Sequence, residues 1–259
     1  MSLQINDLSI QFGGLAAVNH VSFEVPDPSI CALIGPNGAG KTTIFNMISG
    51  TLVPTSGKVI YNGSEIQGLL SYKINNLGIS RTYQNINLFR SMTVLENVMV
   101  GMHSKLQSNF WSSLFHLPWE RKEERKMLEK CHALLEYVGL KDRMNEVSRN
   151  LSYGNQRLLE IGRALASSPK LLLLDEPAAG MNTTEKRILS DLIKRIQKDY
   201  QITILLVEHE MRLVMEVAEK IFVLNFGEKI AEGTPSEIQS NEAVITAYLG
   251  RGQSQEGKE

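Results

Sequence analysis

The segment Gly35-Pro36-Asn37-Gly38-Ala39-Gly40-Lys41-Thr42 carries the spacing G-x-x-x-x-G-K-[ST] and is followed by Thr43. A chance match in a chain of this length is on the order of 1% at average composition. The chemistry of the pattern is polyphosphate binding. Glycines let the backbone turn inward so that successive N–H groups point at phosphate oxygens, and a helix that starts at the loop adds its dipole. Lys41 supplies a mobile positive charge for terminal phosphates, and Thr42 offers a hydroxyl to Mg²⁺.

A second constellation is Leu171-Leu172-Leu173-Leu174-Asp175-Glu176. An apolar strand ending in carboxylates delivers them to the C-terminal edge of a parallel sheet, where ligands of open α/β sheets bind. Asp175 is suited to hold a metal through water, and Glu176 to orient or deprotonate an attacking water. Together with the loop this reads as nucleoside-triphosphate hydrolysis. His209 follows the last core strand of this pattern, so it reaches the same edge or serves the structure. Gln84, in Arg81-Thr82-Tyr83-Gln84, lies where the β-rich part ends. Its amide can join a metal's water shell and sense phosphate, although a lone glutamine is by default a surface residue. Ser152, in Leu151-Ser152-Tyr153-Gly154-Asn155, is a good N-cap for a helix through Leu158, Ile161 and Leu165. A sharper reading makes Ser152 and Gly154 a second phosphate-binding helix start, serving another copy of the chain.

The elements that must position these groups follow from periodicity. Ser29–Gly35, Leu171–Leu174 and Ile202–Val207 are short apolar runs suited to strands buried on both faces. Ile188, Leu189, Leu192, Ile193 and Ile196 form an apolar helical stripe. Strand–helix–strand order implies a parallel α/β sheet. Val18–Val25 and Lys58–Tyr61 alternate, with a turn at Asn62-Gly63, and suit an antiparallel piece beside that core. From about Leu88 to Glu160 strand signals vanish. Met127, Cys131, Leu134, Leu135 and Val138 keep helical spacing there, and Gly139 fits a helix C-cap. Gln107–Trp119 is rich in aromatics and serines, and Arg251–Glu259 is a polar tail expected to be mobile.

Composition bounds the function. The chain has 259 residues, 27 Lys+Arg against 28 Asp+Glu, and a net charge of -1. That length needs no staples. A balanced charge argues against a dedicated nucleic-acid binder. Two cysteines, Cys31 and Cys131, are too few for a disulfide framework and point to a reducing compartment. No run approaches the roughly 18 apolar residues of a membrane span, and no signal peptide is visible at the start. The expectation is a cytoplasmic chain that reaches a membrane only through other polypeptides.

In combination, GPNGAGKTT (35–43), Gln84, LSYGN (151–155), LLLLDEP (171–177) and His209 resemble the ATPase subunit of ABC transporters, over roughly residues 3 to 250. The resemblance implies a P-loop NTPase core with a parallel sheet, an N-terminal antiparallel β-subdomain and an inserted helical subdomain. Residues 1–88 and 161–250 would form the catalytic core, residues 89–160 the helical subdomain, and 251–259 a tail. It implies ATP and Mg²⁺ as cofactors. Gly35, Pro36, Asn37, Gly38, Ala39, Gly40, Lys41, Thr42 and Thr43 would bind the nucleotide, with Phe12 stacked on adenine. Thr42, Gln84 and Asp175 would serve the metal, and Glu176, His209 and Gln84 catalysis. It further implies head-to-tail pairing with a second ATPase subunit, identical or a paralogue, whose Ser152–Gly154 segment clamps the nucleotide.

Two departures stand out. The family's LSGGQ is LSYGN here, and its SALD is Ala179-Gly180-Met181-Asn182. These, with RTYQ (81–84) and the ending GTPSEIQSNEAVITAYLG (233–250), look like the ATPase of branched-chain amino-acid importers. Gln107–Trp119 matches an insertion of that branch. Urea-import and lipopolysaccharide-export ATPases are close alternatives. The implied partners are multi-span permease subunits and an extracellular solute-binding protein, with this chain peripheral on the inner face of the cell membrane. A soluble ABC ATPase acting on DNA or ribosomes would carry two cassettes or a long coiled coil. A P-loop kinase would not explain LSYGN or His209.

Overall fold

The computed structural model describes residues 3–102 and 118–249. Strands β3 (Ile30–Ile34), β7 (Leu171–Asp175) and β8 (Thr203–Val207) are buried at every position. Such runs have no face to offer water and require cover on both sides of the sheet. Alternation within them assigns the two covers. Ile30, Ala32, Ile34, Leu172, Leu174, Ile204 and Leu206 belong to one core, while Cys31, Leu33, Leu171, Leu173, Leu205 and Val207 belong to another.

These strands sit in a six-stranded sheet of order β10–β9–β3–β8–β7–β6. It also contains β6 (Ile79–Arg81), β9 (Lys220–Asn225) and β10 (Glu228–Gly233). All its pairings are parallel except β9 with β10. The core on one face is closed by helix α1 (Lys41–Ile48) and an antiparallel sheet of order β2–β1–β4–β5. This is the expected N-terminal β-piece: β1 (Leu3–Phe12), β2 (Leu15–Val25), β4 (Ser56–Tyr61) and β5 (Ser64–Glu65). Helix α2 (Ser71–Asn76) leads into β6.

Helices cover the other face. α3 (Val94–Met102), α4 (Pro118–Tyr137) and α5 (Tyr153–Ala166) pack together as the helical insertion. Among the described residues 88–160 there is no strand, only an isolated bridge between Thr93 and Val147. Cys131, Leu134, Leu135 and Val138 are buried as their spacing required, and Gly139 ends α4 at φ 78. α5 runs unbroken across residue 160. α6 (Thr183–Tyr200), α7 (Met211–Val217), α8 (Pro235–Gln239) and α9 (Glu242–Leu249) complete the chain.

Two local expectations differ. Ile188 is 50% exposed, so the apolar stripe of α6 consists of Leu189, Leu192, Ile193 and Ile196 only. The strand expected from Ile202 begins at Thr203. β6, β9 and β10 were not anticipated: three residues of Ile-Ser-Arg in β6 and the half-buried edge positions of β10 carry little periodic signal, whereas β9 holds the buried apolar run Ile221–Leu224, a strand signal that the sequence did offer. The Gln107–Trp119 segment lies almost wholly outside the described residues, and the Arg251–Glu259 tail lies entirely outside them.

Cys31 and Cys131 are free and buried, and burial pushes both thiols up to about 11. The thiolate is the reactive species. Native protein at pH 8 is therefore expected to resist iodoacetamide at both positions, whereas protein unfolded in guanidinium labels at both, as read by mass spectrometry.

Candidate functional site

The carboxyl ends of four neighbouring parallel strands, in the order β3, β8, β7, β6, open on one edge. Each delivers one sequence-predicted group: the glycine loop after β3, His209 after β8, Asp175 and Glu176 at β7, and Gln84 after β6.

The loop owes its path to two glycines. At Gly35 (φ 149) an added Cβ would stand 2.1 Å from the Leu224 carbonyl oxygen of β9, and at Gly40 (φ 101) one would stand 2.6 Å from the Ala17 carbonyl oxygen. Both neighbours are backbone and cannot yield cheaply. The turn after β9 braces the loop from behind, with Gly227 N–H donating to Ala39 O (3.1 Å) and Asn19 N–H donating to Gly227 O (2.8 Å). α1 begins directly after Gly40 with no side-chain cap and no acidic residue in its first turn, so its dipole faces the loop unopposed by a local carboxylate. Lys41 is 6% exposed, and its Nζ donates to Gly35 O (2.7 Å) and Pro36 O (3.0 Å). Gly35→Ala is expected to lose about 2–4 kcal/mol of stability from the steric clash with β9, measured by urea denaturation, together with nucleotide affinity.

Asp175 is buried. Its Oδ2 accepts from Arg81 Nη2 at 2.8 Å, and its backbone N–H donates to Thr82 Oγ1 at 3.3 Å. Burial pushes the carboxyl above its ordinary range, and the Arg81 guanidinium opposes that shift. Arg81 also donates through Nη1 to Asn46 Oδ1 and Ser49 Oγ, both at 2.8 Å. Its guanidinium lies over the rings of Phe45 and Tyr83. It thus ties the loop helix to the acidic strand. Sequence reasoning used Arg81 only as a branch marker, although an arginine at a strand end beside Gln84 was the available signal.

Asp175 Oδ1 is buried without a hydrogen-bond partner. An orphaned carboxylate oxygen at the ligand edge fits a metal-bound water in that place. Among the described residues no group of three or more His, Cys, Asp and Glu side chains forms a metal cage.

Glu176 adopts φ 46, a left-handed conformation uncommon outside glycine. It is held there by its N–H donating to Val207 O at 2.9 Å. One of its carboxylate oxygens collects the predicted partners: Gln84 Nε2 donates to Oε2 at 2.9 Å, and His209 Nδ1 lies 3.7 Å from the same atom. Two residues that follow separate strands therefore converge on one oxygen of a third. Beneath them lies Glu208, which sequence reasoning passed over. It is 0% exposed; Oε1 accepts from Ala178 N–H (2.8 Å), and Oε2 from His209 N–H (3.0 Å) and Glu210 N–H (3.2 Å). Burial raises its carboxyl and these backbone donors lower it. It fastens the segment after β7 to the segment after β8. A buried glutamate beside a predicted histidine has no periodic signature.

A cleft of 280 Å³ is bordered by Ala17, residues 37–43, Gln84 and Glu176. Thr42 and Thr43 both border it. Phe12 is 48% exposed at the tip of the β1–β2 hairpin, the hairpin that contributes Ala17. Ser152 and Gly154 do not border it. Ser152 caps α5 by accepting from Asn155 N–H at 3.4 Å, and Gly154 packs on Glu185 of α6.

The matches to known proteins agree with this geometry. Residues 18–179 match the family described as ABC transporter, and residues 228–253 match the branched-chain amino acid ATP-binding cassette transporter family. The chain is 44% identical to the high-affinity branched-chain amino acid transport ATP-binding protein LivG of Escherichia coli (strain K12), over 96% of this chain and 97% of that one. It is 45% identical, with the same coverage, to the corresponding protein BraF of Pseudomonas aeruginosa. Among solved structures, an ABC-transporter ATP-binding cassette in its ADP conformation superposes with a TM-score of 0.84 at 32% identity, covering 96% of this chain and 99% of the other. A nucleotide-free cassette gives 0.81 at 31%, with the same coverage.

Proposed function

The chain belongs to the ATP-binding cassette family of ABC transporters, and from that premise we propose that it is the ATP-hydrolysing subunit of an importer of branched-chain amino acids. The observation that carries the hydrolytic part is the convergence of Gln84 and His209 on Glu176 Oε2 beside the glycine loop. The substrate class rests on the C-terminal match at residues 228–253 and on the LivG and BraF relatives.

In this reading the phosphates of ATP lie in the cleft against the N–H groups of residues 37–43. The Lys41 ammonium exchanges its two loop carbonyls for phosphate oxygens. Phe12 stacks on the base. Glu176 takes a proton from the attacking water, while the Gln84 amide fixes the oxygen that receives it and His209 faces the γ-phosphate. Thr42, Asp175 and Gln84 would hold Mg²⁺, which when bound neutralises charge on the phosphates; the orphaned Asp175 Oδ1 supports this donor set. The Ser152–Gly154 edge, apart from the cleft of its own chain, clamps the nucleotide of a second ATPase subunit, identical or a paralogue.

No helix among the described residues is long and apolar enough to cross a membrane. In the importer reading, which rests on the family and its relatives, the transported solute passes through permease subunits, with this chain docked on their inner face and an extracellular solute-binding protein delivering substrate. Binding closes the pair of ATPases and hydrolysis reopens it, which moves the permease. The near-balanced charge supports no nucleic-acid role.

The test is a pull-down from detergent-extracted membranes, followed by reconstitution of what is recovered. The expected result is co-purification of multi-span membrane subunits and ATP-dependent uptake of leucine, isoleucine or valine. Recovery of ribosomal or DNA-bound material would refute the transporter role, and uptake of urea instead would refute the substrate.

A further inference from the structure

Arg157 heads the largest fully buried side chains, at 1% exposure, and it pairs with Glu160, also 1% exposed, at 3.0 Å. A buried ion pair is a weak source of stability, because an apolar pair of similar volume performs as well or better. Its groups instead go to one short piece of backbone. Arg157 Nη1 donates to Tyr83 O at 2.5 Å and Nη2 donates to Gln84 O. Glu160 Oε1 accepts from Tyr83 N–H and from Asn87 N–H, both at 3.3 Å. The pair on α5 therefore grips both flanks of Gln84, whose own amide holds Glu176.

The first turn of α5 makes a second grip. The Tyr153 hydroxyl lies 3.2 Å from Arg157 Nη2, and the guanidinium lies over its ring. The ring is seated on Gly180, where an added Cβ would come within 2.9 Å of Cε1. One residue on, Gly154 stands against the Glu185 carboxylate, where its own Cβ would be 2.4 Å from Oε1. That carboxylate accepts from Asn182 N–H at 3.0 Å, while Glu185 N–H donates to Asn182 Oδ1, closing a capping box. Tyr153 and Asn182, one from each of the two segments that depart from the family pattern, thus occupy the two sides of one contact between α5 and the turn at residues 179–182.

We propose that Tyr153, Arg157 and Glu160 are positioning residues that lock the Gln84 segment and the 179–182 turn to the Ser152–Gly154 helix start. The phosphate-sensing contact at Glu176 and the edge offered to the second subunit then move as one piece. This rests on the reading that the Ser152–Gly154 edge clamps a partner's nucleotide.

The decisive variant is the double substitution Arg157→Met with Glu160→Leu, which removes the pair but keeps an apolar filling. Amide exchange at residues 83–87 and 179–182 is followed by mass spectrometry in the full-length single chain. Affinity for a fluorescent ATP analogue and turnover with membrane subunits are measured beside it. The expected result is exchange at 83–87 faster by tenfold or more, turnover lower by tenfold or more, and analogue affinity changed less than threefold. Tyr153→Phe keeps the ring on Gly180 and loses only the hydroxyl; turnover is expected to fall about threefold. Arg157→Lys is expected not to rescue, because an ammonium cannot span the same acceptors as the planar fork. Unchanged exchange at 83–87, or faster exchange with wild-type turnover, overturns the proposal. So does a turnover loss matched by an equal loss of analogue affinity. If the double variant does not fold, Tyr153→Phe decides: wild-type turnover there overturns the proposal. Failure of the chain to pair on ATP would overturn the clamp reading alone, since exchange is read in the single chain.

Discussion

Glu176→Gln is expected to bind ATP like the unaltered chain and to turn it over about 10²–10⁴ times more slowly, the usual contribution of a positioned general base. The amide preserves size and retains one oxygen for the Gln84 amide, so the 2.9 Å contact has a substitute. What disappears is the proton acceptor. Glu176 sits where its own conformation is strained (φ 46), fixed by the hydrogen bond to Val207. Strain of this kind persists where function requires a defined direction, and it costs on the order of 1–3 kcal/mol. Glutamine inherits the backbone and the strain but not the chemistry. The variant should accumulate as an ATP-bound pair, detectable by size-exclusion chromatography with ATP and absent with ADP. Turnover at the unaltered rate would remove Glu176 from the role of base.

Lys41→Ala is expected to lose the nucleotide itself. A charge-assisted contact to phosphate contributes about 1.5–3 kcal/mol, which weakens binding by roughly 10–150-fold at 1.4 kcal/mol per tenfold. The side chain is 6% exposed and holds Gly35 O and Pro36 O, so its removal also unties the loop that must be preshaped. Titration with a fluorescent ATP analogue separates this from the Glu176 effect: affinity falls for Lys41→Ala and is kept for Glu176→Gln. Equal affinities in the two variants would contradict the roles given to both residues.

The sequence determined more of the site than of the scaffold. The spacing of Gly35 to Thr42 is a local statement, since a tight turn, inward N–H groups and a following helix all lie within one short segment. The run ending in Asp175 is equally local: a strand buried on both faces has no polar member until its edge. Three apolar strand runs and a helical stripe sufficed for a parallel α/β core, although Ile188 belongs to solvent and not to that stripe. The helical insertion was legible in the spacing of Cys131, Leu134, Leu135 and Val138 because the period of 3.6 is written along the chain.

Arg81, Glu208, Arg157 and Glu160 were not legible as parts of the site. Each is a charged residue that a sequence places on a surface by default, and each is buried here by partners far along the chain. Arg81 meets Asp175 across 94 positions, and Arg157 meets Tyr83 across 74. The same holds for Gln84 and Glu176, 92 positions apart, whose contact brings an otherwise ordinary glutamine to the proposed base. Residue types and local spacing determine which chemistry the chain can perform, because phosphate loops and strand ends are short-range geometry. Which buried charges hold that chemistry in place was decided by the sheet order β3–β8–β7–β6 and by the docking of α5 against it, since only tertiary contact brings such groups within hydrogen-bond reach.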